Sequence, residues 1–390
     1  MLSIVTCALA GAPSSTVYLM RHCARATFLP DLYGGQEPAY LANYSDGGEL
    51  PGWGVAPTLC TARGRKIIAG QGKSLRAEVA ARMGSQSHLK VIYDASAKRD
   101  NTTALDFLTG LGLPLKRSGE ATIFDPPSAW CPYTTPDAKI AAVKAQLQRM
   151  PEPKDYRGRI AALQTILGKG VAPPMQDIAD TPSGGEVAWL GGSFVASSWI
   201  EAMLLQLGAG LPMAYGRVAP SYLFDELLDL HVYFRAIADR GLAIERRGES
   251  NLLAHMLADL QAPDHGVSLY VGHDTNLDGI SVMLDLAWPS APPYPANTTV
   301  PGGLLRLTTE GAGEGATVSA AFLYTDLRHD DGRIVEVAAT FANGRSNMSL
   351  AELAAFAQAR IDQRCVRLDG APAPLVEEQP EPPRHERRPA

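Results

Sequence analysis

Two short clusters of residues in this 390-residue chain have the side-chain types of a reaction centre. One is Arg21-His22-Cys23-Ala24-Arg25, the other His273-Asp274-Thr275-Asn276, and a further cation, Arg99, lies between them. Together they suit phosphoryl transfer. Guanidinium forks bind phosphate oxygens bidentately and neutralise their charge. A neutral histidine can attack phosphorus and carry the phosphoryl group. Fixed positive donors stabilise the charge that develops on the phosphoryl oxygens, and a nearby carboxylic acid can protonate the departing alcohol. The arginines then supply the charge that a metal supplies elsewhere. A third candidate fails: Gly70-Gln71-Gly72-Lys73-Ser74 ends like a P-loop, but Ile67 stands where that loop needs a glycine, and no strand leads into it.

The elements that must position these residues are visible around them. Residues 16–20 (TVYLM) run straight into the first cluster and residues 268–272 (SLYVG) into the second, while 91–93 (VIY) and Asp94 lead on to Arg99. Unbroken apolar runs of this length suit strands buried on both faces of a sheet. Ligands of open α/β sheets bind at the carboxyl ends of strands, so two such strands would place Arg21, His22, Arg25, His273 and Asp274 on one rim. Taken singly, each cluster has an ordinary reading: a solvated Arg-His at a strand end, an Asp capping a helix, a surface arginine. Their joint occurrence after strands favours chemistry.

Helical spacing is clear over 221–238, where Leu223, Leu227, Leu230, Phe234 and Ile237 recur, and over 250–261 with Leu253, Met256, Leu257 and Leu260. Residues 198–207 and 137–167 also read as helical, the latter broken around 150–153. The expected fold is α/β: a mixed, mainly parallel sheet core flanked by helices, formed by 15–130 and 245–368, with a mainly helical cap over 131–244. His231 and Glu201 fall on helices of that cap, where a satisfied helix-face histidine is the plain reading. The Pro-rich stretches 126–136 and 289–303 read as loops, and residues 371–390 as a disordered tail.

Composition narrows the class. Lys and Arg number 35 against 41 Asp and Glu, a net charge of −6, so a general nucleic-acid binder is not expected. The chain is 46% hydrophobic and 19% charged, enough to bury a large core, and lacks an apolar run long enough to cross a membrane. Residues 1–10 resemble the apolar end of a secretory signal, although without its basic start. Five cysteines, at 7, 23, 60, 131 and 365, show no zinc spacing. Asn43, Asn101, Asn297 and Asn347 begin N-x-Ser/Thr sequons.

The first cluster resembles the RHGxRxP signature of the histidine acid phosphatases, and Gly272 through Asn276 (GHDTN) resembles that family's second signature. Residues 59–64 (LCTARG) resemble its LTxRG segment, and Arg99 through Ala104, with Phe107, Gly110 and Leu111, its RTxxSAxxFxxGL stretch. Residues 193–201, 216–218, 227–231 and Pro301-Gly302-Gly303 resemble bacterial periplasmic phytases and glucose-1-phosphatases, and the likeness covers about 15–365.

The resemblance implies a phosphoglycerate mutase-like core and a helical cap. It implies His22 as the nucleophile, Asp274 as proton donor, and Arg21, Arg25, Arg99 and His273 as phosphate ligands. It also implies no metal or other cofactor, a small phosphomonoester as partner, no nucleic-acid or membrane partner, a monomer, a periplasmic or secreted location, activity at acid pH and a Cys131–Cys365 disulfide. Four positions depart from the pattern: Cys23 replaces the signature glycine, Thr27 its proline, and Phe28 and Leu29 a Thr-Lys pair of phytases. Glycine tolerates close backbone approach, so Cys23 could crowd the loop, but cysteine is small and the change is expected to be tolerated; a pairing with Cys60 is open. A catalytically weakened phosphate or inositol-phosphate binding protein, and a phosphomutase, are the alternatives.

Overall fold

The computed structural model describes residues 15–27, 45–46, 52–83, 89–131, 136–168, 186–262, 266–289, 292–311 and 315–368. The expected leader and tail, with Phe28, Leu29 and Asn43, lie outside them.

In chain order, β1 (Thr16–Arg21) is followed by α1 (Ala62–Met83), β2 (Lys90–Tyr93), α2 (Lys98–Leu111) and β3 (Ser118–Gly119). A helical run comes next. It comprises α3 (Ala121–Phe124), α4 (Pro136–Leu147), α5 (Tyr156–Leu167), α6 (Glu186–Ala209), α7 (Leu228–Ala238, entered through a π turn at Leu223–Leu227), α8 (Leu242–Gly248) and α9 (Ser250–Gln261). The chain then returns to the sheet with β4 (Val267–Gly272), α10 (Asp274–Leu284), β5 (Leu304–Glu310), β6 (Thr317–Tyr324), β7 (Val335–Ala339), β8 (Asn347–Ser349) and α11 (Leu350–Gln358).

The eight strands form one sheet in the order β3-β2-β4-β1-β5-β6-β7, with β8 paired to β6. Every residue of β1 and β4 is buried, because helices cover both faces. Along β1, Val17 and Leu19 join the apolar cluster of α5, α6, α7, α9 and α10, whereas Tyr18 and Met20 join that of α1 and α2. The strand's twofold alternation thus requires apolar residues at consecutive positions.

The sheet is mixed, as anticipated, but not mainly parallel. Pairings β1–β4, β2–β3 and β2–β4 are parallel, and β1–β5, β5–β6, β6–β7 and β6–β8 are antiparallel. Short connections between consecutive strands after residue 304 make antiparallel neighbours; parallel ones need a crossover. The helices between β3 and β4 share one apolar core with the sheet, with Trp199, Met203, Leu230 and Phe234 in the same cluster as Val17 and Leu19. We keep the division into 15–130 with 245–368 and an inserted 131–244 as a proposal.

Cys131, between α3 and α4, is bonded to Cys365 across 234 residues. Closing so long a loop restricts the unfolded chain strongly. Cys131→Ala/Cys365→Ala should lose about 2–5 kcal/mol of stability, read as a lower urea midpoint, and an unchanged midpoint would refute the estimate. No helix among the described residues is long and apolar enough to cross a membrane.

Candidate active site

The register of the sheet assembles the site. β1 and β4 are adjacent and parallel with Arg21 opposite Gly272, so His22 and His273 leave the sheet at the same level. The His22 N–H donates to the Gly272 carbonyl at 2.9 Å, and the Gly302 N–H donates to the His22 carbonyl at 3.0 Å. The two imidazoles stand edge to face with centroids 5.6 Å apart. On the other side of β4, β2 ends with Tyr93 opposite Val271, which delivers Asp94 to the same rim, and α2 begins at once and presents Arg99 in its first turn.

His22 is buried, and its Nδ1 lies 2.9 Å from the Cys23 carbonyl. A carbonyl only accepts, so Nδ1 carries the proton and Nε2 keeps its lone pair. Burial, then the charges of Arg99, Arg25 and Arg21 and the proximity of His273, hold the imidazole well below its ordinary range. All of these favour the neutral imidazole. Arg25 is lowered by burial to about 10 and remains a cation. Gly64, the glycine of the LCTARG segment, lets α1 approach this loop, because a Cβ there would sit 2.3 Å from the Ala24 carbonyl oxygen. Cys23 does not crowd the loop as a free thiol, since its side chain is bonded to Cys60.

His273 caps α10 and is held from both ring nitrogens. Nε2 donates to Asp94 Oδ2 at 3.0 Å, and Nδ1 accepts from Arg99 Nη2 at 3.3 Å. The Asn276 amide oxygen accepts from the His273 N–H at 2.8 Å and fixes the turn. Fully buried Asp100 places Oδ2 3.5 Å from His273 Nε2, and burial pushes its carboxyl up to about 9, leaving it protonated. Asp94, Asp100 and His273 offer one potential metal-ligand atom each within 4.8 Å. A protonated Asp100, a committed His273 Nε2 and the Arg99 guanidinium on the opposite nitrogen make this a hydrogen-bonded cluster that disfavours a cation.

Arg21 is wholly buried at the end of β1 and lies against Glu201, the Thr299 carbonyl and Asp274, the last at 3.3 Å. Glu201 reaches down from α6. His231, from α7, stands 3.5 Å from Glu201 Oε2 and 2.8 Å from Ser197 Oγ. It is thus the satisfied helix-face histidine that its position suggested.

Asp274, the implied proton donor, sits in surroundings that favour its ionised form. Burial favours the neutral acid, but the charges of Arg21, Arg235 and Arg25 outweigh it and hold the carboxyl well below the usual carboxylate range. Arg235 reaches in from α7 to 3.9 Å from Asp274, anchored by Asp278 at 2.5 Å and Asp239 at 3.1 Å. An opposite charge at such range lowers a carboxyl pKa by about 1–3 units. Arg235→Gln should therefore move the limb of the kcat/KM profile on which Asp274 loses its proton upward by about one pH unit. A limb that stays in place would show that Arg235 does not act on Asp274.

All six residues singled out in the sequence thus converge. Asp94, Asp100 and Arg235 were not among them. Asp94 directly follows β2, as the two histidines follow β1 and β4, so the same strand-to-loop signal pointed to it; Asp100 and Arg235 show their role only through contacts distant in sequence.

No family model matches the chain, and no curated protein matches it in sequence. Solved structures do match in fold. The Hafnia alvei phytase in complex with myo-inositol hexakis sulphate superposes with a TM-score of 0.76 at 21% identity, over 92% of this chain and 99% of that one. The Klebsiella sp. ASR1 phytase gives 0.74 at 19%, over 91% and 98%. The Citrobacter braakii phytase gives 0.72 at 22%, over 90% and 98%. The fold is that of these bacterial phytases, the histidine acid phosphatase fold.

Proposed function

We propose that the chain is a metal-independent phosphomonoester hydrolase of the histidine acid phosphatase type, working through a phosphohistidine on His22. The observation that carries this reading is a buried, neutral histidine with its Nε2 lone pair uncommitted by the Nδ1 hydrogen bond, set among Arg21, Arg25 and Arg99 and flanked by Asp274. The three guanidiniums and His273 take the phosphate oxygens. His22 Nε2 attacks phosphorus, the P–O ester bond breaks, and Asp274 gives the leaving oxygen its proton. Water then cleaves the N–P bond, which frees inorganic phosphate and restores His22. The negative charge of the substrate enters beside Asp274 and offsets the pull of Arg21 and Arg235, so the carboxyl can hold its proton when it is needed.

Phytate and sugar phosphates are the substrate classes we propose to test. Phe28 and Leu29 in place of Thr-Lys remove a cation that a highly charged substrate would use. Cys23, the residue on which the binding-only alternative rested, is not a free thiol but is bonded to Cys60. Two disulfides suit an oxidising compartment, and we propose a periplasmic or secreted monomer. The test is phosphate release from p-nitrophenyl phosphate between pH 3 and 8 in EDTA, with a search for an acid-labile, alkali-stable phosphoenzyme. EDTA-resistant activity at acid pH with that intermediate is expected; loss in EDTA, or turnover without the intermediate, would overturn the reading.

A further inference from the structure

We infer that the Cys23–Cys60 disulfide is a positioning element of the active site, an inference that rests on the phosphohistidine reading: it holds the carbonyl that sets the tautomer and aim of His22, and it ties the catalytic loop to the turn that carries Arg99. Three observations converge on it. First, the group that accepts from His22 Nδ1 is the carbonyl of Cys23 itself, at 2.9 Å. A shift of that carbonyl would turn the imidazole or release the tautomer that leaves Nε2 free for phosphorus.

Second, the bond lies where the arginine-bearing segments meet. The Cys23 N–H donates to Thr103 Oγ1 at 3.0 Å, and that hydroxyl donates to the Arg99 carbonyl at 2.8 Å. Cys60 Sγ lies 3.5 Å from the same Arg99 carbonyl oxygen and 3.7 Å from Thr103 Oγ1. One cross-link thus touches the loop of His22 and Arg25 and the first turn of α2.

Third, the loop is clamped on its other side by the residues flanking Cys60. Arg25 pairs with Cys60 in an isolated antiparallel bridge, the Ala26 N–H donates to the Leu59 carbonyl at 3.0 Å, and the Thr61 N–H donates to the Ala24 carbonyl at 3.0 Å. Both cysteines are buried, Cys23 at 0% and Cys60 at 5% exposure. The resembling signature has glycine at this position, which leaves the backbone free; here a covalent bond holds it. A misplacement of about 1 Å in a catalytic group can cost about 100-fold in rate, so the clamp bears on turnover more than on folding.

The test compares two cysteine-pair variants of the full chain, Cys23→Ala/Cys60→Ala and Cys131→Ala/Cys365→Ala, far below their melting temperatures. The first should lose at least about tenfold in kcat on p-nitrophenyl phosphate and bind inorganic phosphate more weakly by calorimetry, with an unchanged circular dichroism spectrum. The second should lose more thermal stability and keep both functional values. Thr103→Val, which keeps the disulfide but frees it from α2, should lose activity in the same direction by a smaller factor, and it decides the matter if the first variant does not fold. Unchanged kcat and phosphate affinity in the variants at Cys23 or Thr103 would overturn the inference and leave the bond a stability cross-link. If the wild type itself turns nothing over, the phosphohistidine reading falls, and phosphate affinity still reports whether the disulfide shapes the site.

Discussion

Alanine in place of His22 should cut turnover by about 10⁵-fold, the scale seen when a covalent nucleophile is removed from a preorganised site, while inorganic phosphate still binds within a fewfold of the wild-type affinity. The two effects separate because different groups carry them. Binding energy comes from the guanidiniums of Arg21, Arg25 and Arg99, and Arg21 and Arg99 are held by partners other than His22: Glu201 and the Thr299 carbonyl hold Arg21, and His273 meets Arg99. The backbone N–H and carbonyl of His22, bonded to Gly272 and Gly302, persist in the variant, so the loop keeps its place. Steady-state assays give the loss in kcat and calorimetry gives the retained affinity. A variant that still hydrolyses esters at more than a small fraction of the wild-type rate would mean that water attacks phosphorus directly and that His22 only binds. A variant that loses phosphate affinity in proportion to rate would place the imidazole among the binding groups instead.

What could be read from the sequence follows from how local each signal is. The helix over 250–261 is observed with those bounds, as Ser250–Gln261, because its apolar spacing is complete within the segment. β1 and β4 are legible because burial on both faces leaves no polar interruption. β6 and β7 were missed because their exposed positions alternate with buried ones, as at Thr317 and Ser319 of β6, and short alternating runs resemble loops. The site was legible to the extent that its residues follow strands: Arg21 and Gly272 end adjacent strands in register, so their neighbours must meet. The Cys131–Cys365 bond followed from resemblance alone, since spacing does not fix pairing. The ionisation of Asp274 was not legible. It depends on Arg235, whose spacing on α7 marks it only as one polar residue of a helix, and which meets Asp274 because α7 and α10 are brought together in the fold.

Asp274→Asn should separate substrates by their leaving groups. For an alkyl ester such as a sugar or inositol phosphate, the departing alkoxide is a strong base and needs a proton as the P–O bond breaks, so loss of the acid should cost about 10²–10⁴-fold in kcat. A nitrophenolate departs without that proton, so p-nitrophenyl phosphate should suffer far less. Asparagine keeps the side-chain volume and can still accept from Arg21 through its amide oxygen, so the cation that lies 3.3 Å from Asp274 stays near its place. The substitution also removes a negative charge from beside the phosphate site, and phosphate affinity should hold or rise. The loss on alkyl esters is then not a binding effect. The decisive quantity is the ratio of the two rates in the variant against the same ratio in the wild type, measured at one acid pH. A ratio that does not change would show that another group, or the substrate's own proton, protonates the leaving oxygen. A ratio that shifts by two or more orders of magnitude in favour of the nitrophenyl ester would assign that proton to Asp274. It would also require that the bound phosphoryl group offset Arg21 and Arg235, which in the free site keep this carboxyl ionised.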